Sequence, residues 1–278
     1  MMIRCACPDC MSEGTIKTDL FRRGGRAAYL CEYHFREMRG YSEENHKRVG
    51  TDDKVTEFTF SFENETSAST EKARVELYNE HFMPSRDGTV DVEYKSPIYY
   101  GMNAMSKHAA TIQHLIDDGE LEINWRCGTH VHVGHKSMIN AVTMSYIRRF
   151  YHSLFLPLSD EMSNNPEAVE RLFGRPLNSW AEPIEADTDP ERHTNFANTQ
   201  HDWTLEWRVC KFVNNKQFMS AAKCCADMTG AIITNFLAHF NDEPTDKRRY
   251  PTIREYRKHK ADVTAQKMVK IFRKYAGI

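Results

Sequence analysis

From Thr56 to Glu65 the chain reads TEFTFSFENE, with apolar and polar residues alternating in the two-residue period of a strand. The period then changes. Ser69 to Phe82 suits a helix capped by Ser69 or Thr70 and stopped by MPSRDG, where Arg86-Asp87-Gly88 turns the chain. A second strand, TVDVEYKSP, leads to a helix from Met102 to Asp118, in which Met105, Ile112 and Ile116 recur at helical spacing before Gly119 ends it. LEINWRCGTHVHVGH is extended, and Ser137 to Leu156 is a long helix with Ile139, Val142, Tyr146, Phe150 and Leu154 on one side. From Pro157 to Arg192 the chain is rich in Pro, Asn, Asp and Glu; a long functional loop or lid is expected there, with one short helix at Pro166 to Phe173. DWTLEWRVCKF is a further strand and Phe218 to Phe240 a helix. A last helix, Val263 to Tyr275, places Ala265, Met268, Val269, Phe272 and Tyr275 on one face.

Applied to each strand in turn, the same period sorts polar from apolar side chains. Glu63 and Glu65 share a face opposite Phe62; Asp91, Glu93 and Lys95 oppose Val90, Val92 and Tyr94. His130 and His132 oppose Val131 and Val133, and Glu206 and Arg208 oppose Leu205, Trp207 and Val209. Any one of these strands could simply have a solvent-facing side. If all four belong to one sheet whose apolar faces pack on helices, the other face gathers carboxylates, two imidazoles and a guanidinium. Carboxylates kept ionised in a partly desolvated groove need a cation, and oxygen-rich sites with one or two His suit Mg²⁺ or Mn²⁺ better than a thiolate-seeking metal. The expected architecture is α+β: an antiparallel sheet curved around a polar site, with helices on its other side.

The N-terminus has a different character. Of eight cysteines, Cys5, Cys7, Cys10 and Cys31 lie in the first 31 residues. Cys7-x-x-Cys10 followed by Cys31-x-x-His34 has the paired spacing of a tetrahedral zinc site, with Cys5 competing with Cys7 as ligand. A zinc-ribbon-like module over residues 1–45 is expected, then a polar linker, YSEENHKRVGTDDK, and a second domain over residues 54–278. A unit of that size has too little core to fold alone, so zinc would contribute much of its stability. Arg22, Arg23 and Arg26 could contact phosphate or form a solvated loop, and ribbons of this kind bind nucleic acid, bind protein or brace a neighbour.

The chain has 278 residues, a hydrophobic fraction of 40% and a charged fraction of 27%, which excludes disordered and fibrous classes. It lacks the run of about 18 apolar residues that a spanning helix needs, and its start, MMIRCACPDC, lacks the apolar core of a signal peptide. A cytoplasmic location and no membrane partner are expected. The net charge of −2 conceals a basic end, since Lys247 to Lys274 holds eleven Lys or Arg against Glu255 and Asp262. Such a helix can attract phosphate-bearing partners, though a solvated face balancing an acidic body explains it equally well.

With these strands in view, residues 56 to 218 resemble the amidoligases, carboxylate-amine ligases related to glutamine synthetase. FSFENE resembles the family's opening strand, with Ser61 where Gly is usual, and carries its E-x-E metal ligands at Glu63 and Glu65. RDGTVDVEYKSP is similar to the second motif, which makes Glu93 a metal ligand. CGTHVHV matches the most specific signature and implies His130 and His132 near metal and nucleotide phosphate. TLEWR implies Glu206 as a metal ligand and Arg208 as the contact to phosphate or substrate carboxylate; Arg192 and Asn195 fall where the family often has an Arg and an Asn that bind the nucleotide. Lys211 and Phe212 depart from the small residues the family has after the E-x-R strand.

The resemblance implies a glutamine synthetase-like sheet, ATP and Mg²⁺ or Mn²⁺ as cofactors, and an acyl-phosphate mechanism at a two-metal site. Glu63, Glu206 and Arg208 would carry the catalysis. The acid and the amine could each be small or macromolecular. Two rivals use similar residues: a two-metal phosphodiesterase or nuclease, against which Arg208 beside Glu206 argues, and a non-catalytic nucleotide- or nucleic-acid-binding module.

Overall fold

In this computed structural model the described residues are 16–23, 26–30, 48–50, 58–85, 90–135, 138–244, 246 and 249–278. Cys5, Cys7, Cys10, Cys31 and His34, and with them the expected zinc site, lie outside that set, as do Arg86, Asp87 and Gly88. In chain order the elements are β1 (Ile16–Arg23), β2 (Arg26–Leu30), β3 (Arg48–Gly50), β4 (Phe58–Thr66), β5 (Ala68–Ser69), α1 (Glu71–Asn79), β6 (Met83–Ser85), β7 (Val92–Lys95), β8 (Ile98–Tyr100), α2 (Met102–Asp117), β9 (Leu121–Glu122) and β10 (Thr129–His135). There follow α3 (Ala141–Arg149), α4 (Tyr151–Asn164), α5 (Pro166–Phe173), β11 (Ala197–Asn198), β12 (Leu205–Cys210), α6 (Asn215–Asn235) and α7 (Ile253–Ala276). Helices and antiparallel strands mix, as an α+β chain should. No helix among the described residues is long and apolar enough to cross a membrane.

The chain divides into two compact units. The first includes Phe62–Ile98 and Ala110–Cys127, along with the N-terminal hairpin in which β1 and β2 pair antiparallel. Here the second half of β4 pairs with β7, and β7 with β6, all antiparallel; β5 pairs with β9. Thr70, rather than Ser69, caps α1, its hydroxyl accepting from the Ala73 amide, and Ala73 and Leu77 are the face the helix buries. Phe62, Tyr94, Ile112 and Leu115 are fully buried in this unit.

The second unit comprises Gly50–Ser61, Tyr99–Ala109 and Gly128–Ile278. Its strands run in the order β11, β12, β10, and both neighbours of β12 pair with it antiparallel. Val131, Val133, Leu205, Trp207 and Val209 are completely buried, and the Trp207 indole donates to the Thr229 hydroxyl at 3.0 Å, which ties β12 to α6. Phe173 of α5 stacks on Phe272 of α7, their ring centroids 6.3 Å apart.

Three helical expectations need correction. The long helix from Ser137 to Leu156 is two. Asn140 and Thr143 form a capping box that starts α3 at Ala141, and the chain leaves helical geometry at Phe150 before α4 begins. Val142, expected on the inner face, sits in the first turn and is exposed. The second correction concerns Pro157, which does not open a loop. It lies inside α4, where an interior proline costs about 3 kcal/mol. Burial of Tyr151, Leu154, Phe155, Leu158 and Met162 along the helix offsets that cost. With α5 following, only residues 174–192 of the expected lid are irregular, and even they hold a bridge between Asn178 and Ala181 and one from Glu182 to Asn195 beyond the lid. Third, α7 begins ten residues before Val263, at a Thr252–Glu255 capping box; its first turns bury nothing before Ala261, so the apolar pattern could not mark them.

Because Phe272 is fully buried against Phe173, Phe272→Ala should lower unfolding stability by about 3–5 kcal/mol. Urea unfolding followed by circular dichroism would measure it, and a loss under about 1 kcal/mol would mean that α7 is not packed as described.

Candidate functional site

In the second unit the candidate residues sit on paired strands. His132 lies directly opposite Glu206 in the β10–β12 register, and Asn198 of β11 faces Glu206 from the other side. A register shift between Thr129 and Val131 sets His130 off the regular ladder. His130, His132 and Glu206 are buried although their strands bury their apolar faces too, so this is not a solvent-facing side.

A buried carboxylate must be paired, and Glu206 is. Arg208 Nη1 donates to Glu206 Oε1 at 2.8 Å, and His130 Nδ1 lies 3.2 Å from both that oxygen and Arg208 Nη1. His130 Nδ1 can accept from the guanidinium or donate to the carboxylate, but not both at once. His201 Nε2 stands 3.6 Å from Glu206 Oε2, and its ring meets His132 edge-on, while His132 Nδ1 pairs with the Thr204 hydroxyl at 3.2 Å. Burial by itself would push the Glu206 carboxyl up; hydrogen bonding to His130 and then His201, with the charges of His132 and His130, holds it well below the usual carboxylate range.

Behind this group is a residue the sequence pattern did not single out. Arg175 is buried, and its Nη2 donates to the Arg208 carbonyl. Gly128 makes room for it: a Cβ at Gly128 would lie 2.8 Å from Arg175 Nη1. Arg175 sits in an irregular segment without period, where nothing marks a side chain as inward. His201 escaped notice for the same reason. Gly134 on β10 is equally confined, since a Cβ there would meet the Thr59 hydroxyl and the Trp203 carbonyl, the latter at 3.0 Å. His135, at the end of β10, packs edge-on against Phe58 and accepts from the Met138 amide.

Arg192 and Asn195 lie in the irregular segment before β11. Arg192 grips Glu182 at 2.9 Å beside a cavity of about 520 Å³ lined by Glu185, Asp187 and Asp189. Asn195 is buried and donates to the Asp189 carbonyl, and its Oδ1 has no hydrogen-bond partner among the described residues.

In the first unit Glu65 of β4 lies directly opposite Glu93 of β7, and Glu63 opposite Lys95. Like charges directly across a ladder destabilise it, so the pair of rows needs a cation. Lys95 provides one: its Nζ is 3.0 Å from Glu63 Oε1 and 3.2 Å from Glu93 Oε1. Ser85 of β6 adds a hydrogen bond to Glu93 Oε1 at 2.7 Å. Burial would lower Lys95, but the Glu63 and Glu93 carboxylates outweigh it and hold the ammonium above its ordinary value. Asp91, expected on the same face, is exposed at the strand's edge and is held by Arg74 and Ser69.

Each unit therefore presents donors of a kind that fits a hard divalent cation: three carboxylates in the first, a carboxylate and imidazoles in the second. Arg208 Nε is buried without a hydrogen-bond partner among the described residues. An orphaned guanidinium N–H beside a buried acid fits an anionic ligand.

A family model described as "Putative amidoligase enzyme" matches residues 26–272. No curated protein matches the chain. Among solved structures, a crystal structure described as that of a novel glutamine synthase homolog is similar at 12% identity and a TM-score of 0.36. The match covers 79% of this chain and 65% of that one, so the chain spans just under two thirds of its neighbour's length.

A carboxyl held below its unfolded value contributes stability above the ordinary carboxylate range and loses it as pH falls. Glu206→Gln should thus cost about 3 kcal/mol at pH 7, where Arg208 is left without its counter-ion, with a smaller gap from the parent at acid pH. Paired urea titrations at neutral and acid pH test this. A gap that is absent at pH 7, or that widens on acidification, would contradict the pairing.

Proposed function

The chain belongs to the amidoligase family, and on that premise we propose that it joins a carboxylate to an amine at the expense of ATP. The observation that carries the reading is Arg208. Its Nη1 is anchored on buried Glu206 while its Nε has no hydrogen-bond partner among the described residues, an arrangement suited to a guanidinium that receives an anion.

A carboxylate does not condense with an amine in water because its oxygen is a poor leaving group. In the proposed reaction a carboxylate oxygen attacks the γ-phosphorus of ATP, the bond to the bridging oxygen breaks and ADP leaves. The amine then adds to the acyl carbon and gives up a proton, and phosphate departs with the C–O electron pair. Glu63, Glu65 and Glu93 in the first unit, and His130, His132 and Glu206 in the second, are residues that would hold Mg²⁺ or Mn²⁺. When bound, such ions neutralise phosphate and carboxylate charge so that two anions can approach.

Arg208 would stabilise charge on the transferring phosphoryl group, and its contact with Glu206 fixes the guanidinium plane before substrate arrives. His130 would keep that orientation from the second side, and Arg175, donating to the Arg208 carbonyl, holds the strand from behind. Arg192 and Asn195 are proposed as nucleotide contacts, for which Arg192 must release Glu182.

The decisive substitution is Arg208→Lys, which keeps the charge and loses the planar fork. Turnover should fall about 100-fold or more, while ATP affinity, measured by calorimetry with Mg²⁺, changes little. The assay pools candidate acids and amines with ATP and follows ADP together with a mass gain of amine minus water. ADP without amide from a broad pool, or a fully active Arg208→Lys, would overturn the proposal.

A further inference from the structure

Lys95 occupies a position that the amide-forming reaction does not explain. It stands on β7 two residues beyond Glu93 and directly across from Glu63, so one strand period delivers an ammonium to the same face as the acids. Its Nζ lies between Glu63 Oε1 and Glu93 Oε1, at 3.0 and 3.2 Å. An ion bridging those two oxygens would sit within about 2.0–2.6 Å of each, in space the ammonium fills.

We propose that Lys95 is an internal counter-cation, holding the place between Glu63 and Glu93 until Mg²⁺ or Mn²⁺ displaces it, and thereby setting the affinity of this unit for metal. The inference rests on the metal-dependent ligase reading and specifies how the metal enters. The ammonium lets β4 and β7 pair without metal, because it relieves the repulsion between carboxylates on facing strands. When an ion arrives, the flexible four-carbon stem can carry the ammonium aside without moving the backbone. A binding site with its own removable cation binds metal more weakly than the same acids alone, since the ammonium must first be displaced.

The probe is Mn²⁺ alone, titrated into the full chain and read by electron paramagnetic resonance of the free ion, with no substrate present. Lys95→Met, of similar length and no charge, should bind Mn²⁺ about tenfold more tightly or better than the parent, because a neighbouring positive charge is gone. Lys95→Arg, which keeps the charge, should gain nothing. The metal-free Lys95→Met protein should melt at a lower temperature than the parent, and saturating Mn²⁺ should raise its melting temperature more than the parent's. If Lys95→Met does not fold, Lys95→Gln takes its place with the same expectation. A parent that binds Mn²⁺ with a neutral variant binding no more tightly would overturn this inference and leave the ligase reading standing. A parent that binds no Mn²⁺ at all would overturn both.

Discussion

Charge buried on a strand face must be compensated where it lies, and the rest of the candidate site follows from that constraint. Strands whose two faces are both buried cannot leave carboxylates to water. In the second unit Glu206 is met by Arg208, His130 and His201; in the first, Glu63 and Glu93 are met by Lys95. Both solutions use polar partners rather than removing the charge. Isolated pairs of this kind add little stability compared with apolar side chains of equal volume. Their retention at a ladder of strands makes sense if the charges serve a ligand.

The constraint also accounts for residues that do no chemistry. Gly128 leaves room for Arg175, and Arg175 braces the Arg208 backbone, so the guanidinium is placed by a chain of contacts reaching into the irregular segment before β11. The apolar half of β12 does the complementary work, with Trp207 hydrogen-bonded to Thr229 and buried between helices. In the proposed reaction Arg208 would meet a charged transition state, where an error of an ångström in placement forfeits much of the electrostatic gain.

Much of this was legible in the chain itself. Alternation put His130 with His132 and Glu206 with Arg208 on common faces, and the register confirms that His132 and Glu206 meet. It also paired Glu93 with Lys95, though the ion pair to Glu63 depends on strand register, which alternation within one strand does not specify. Helix ends were harder. Pro157 and Phe150 misled in opposite directions, because a buried face can carry a helix through proline and a break needs no helix-breaking residue. The start of α7 was invisible for want of apolar residues before Ala261, and Arg175 and His201 lie where no period exists to interpret them.

The central claim is that the carboxylate is activated by phosphorylation before the amine attacks. It is tested most directly by following oxygen. A pool of carboxylic acids labelled with ¹⁸O is incubated with ATP, Mg²⁺ and a pool of amines, and the released phosphate is examined by mass spectrometry. The account predicts one ¹⁸O carried from acid to phosphate for each amide formed, with Arg208→Lys slowing both together. Phosphate free of the label while ADP accumulates, its oxygen drawn instead from solvent water, would contradict it.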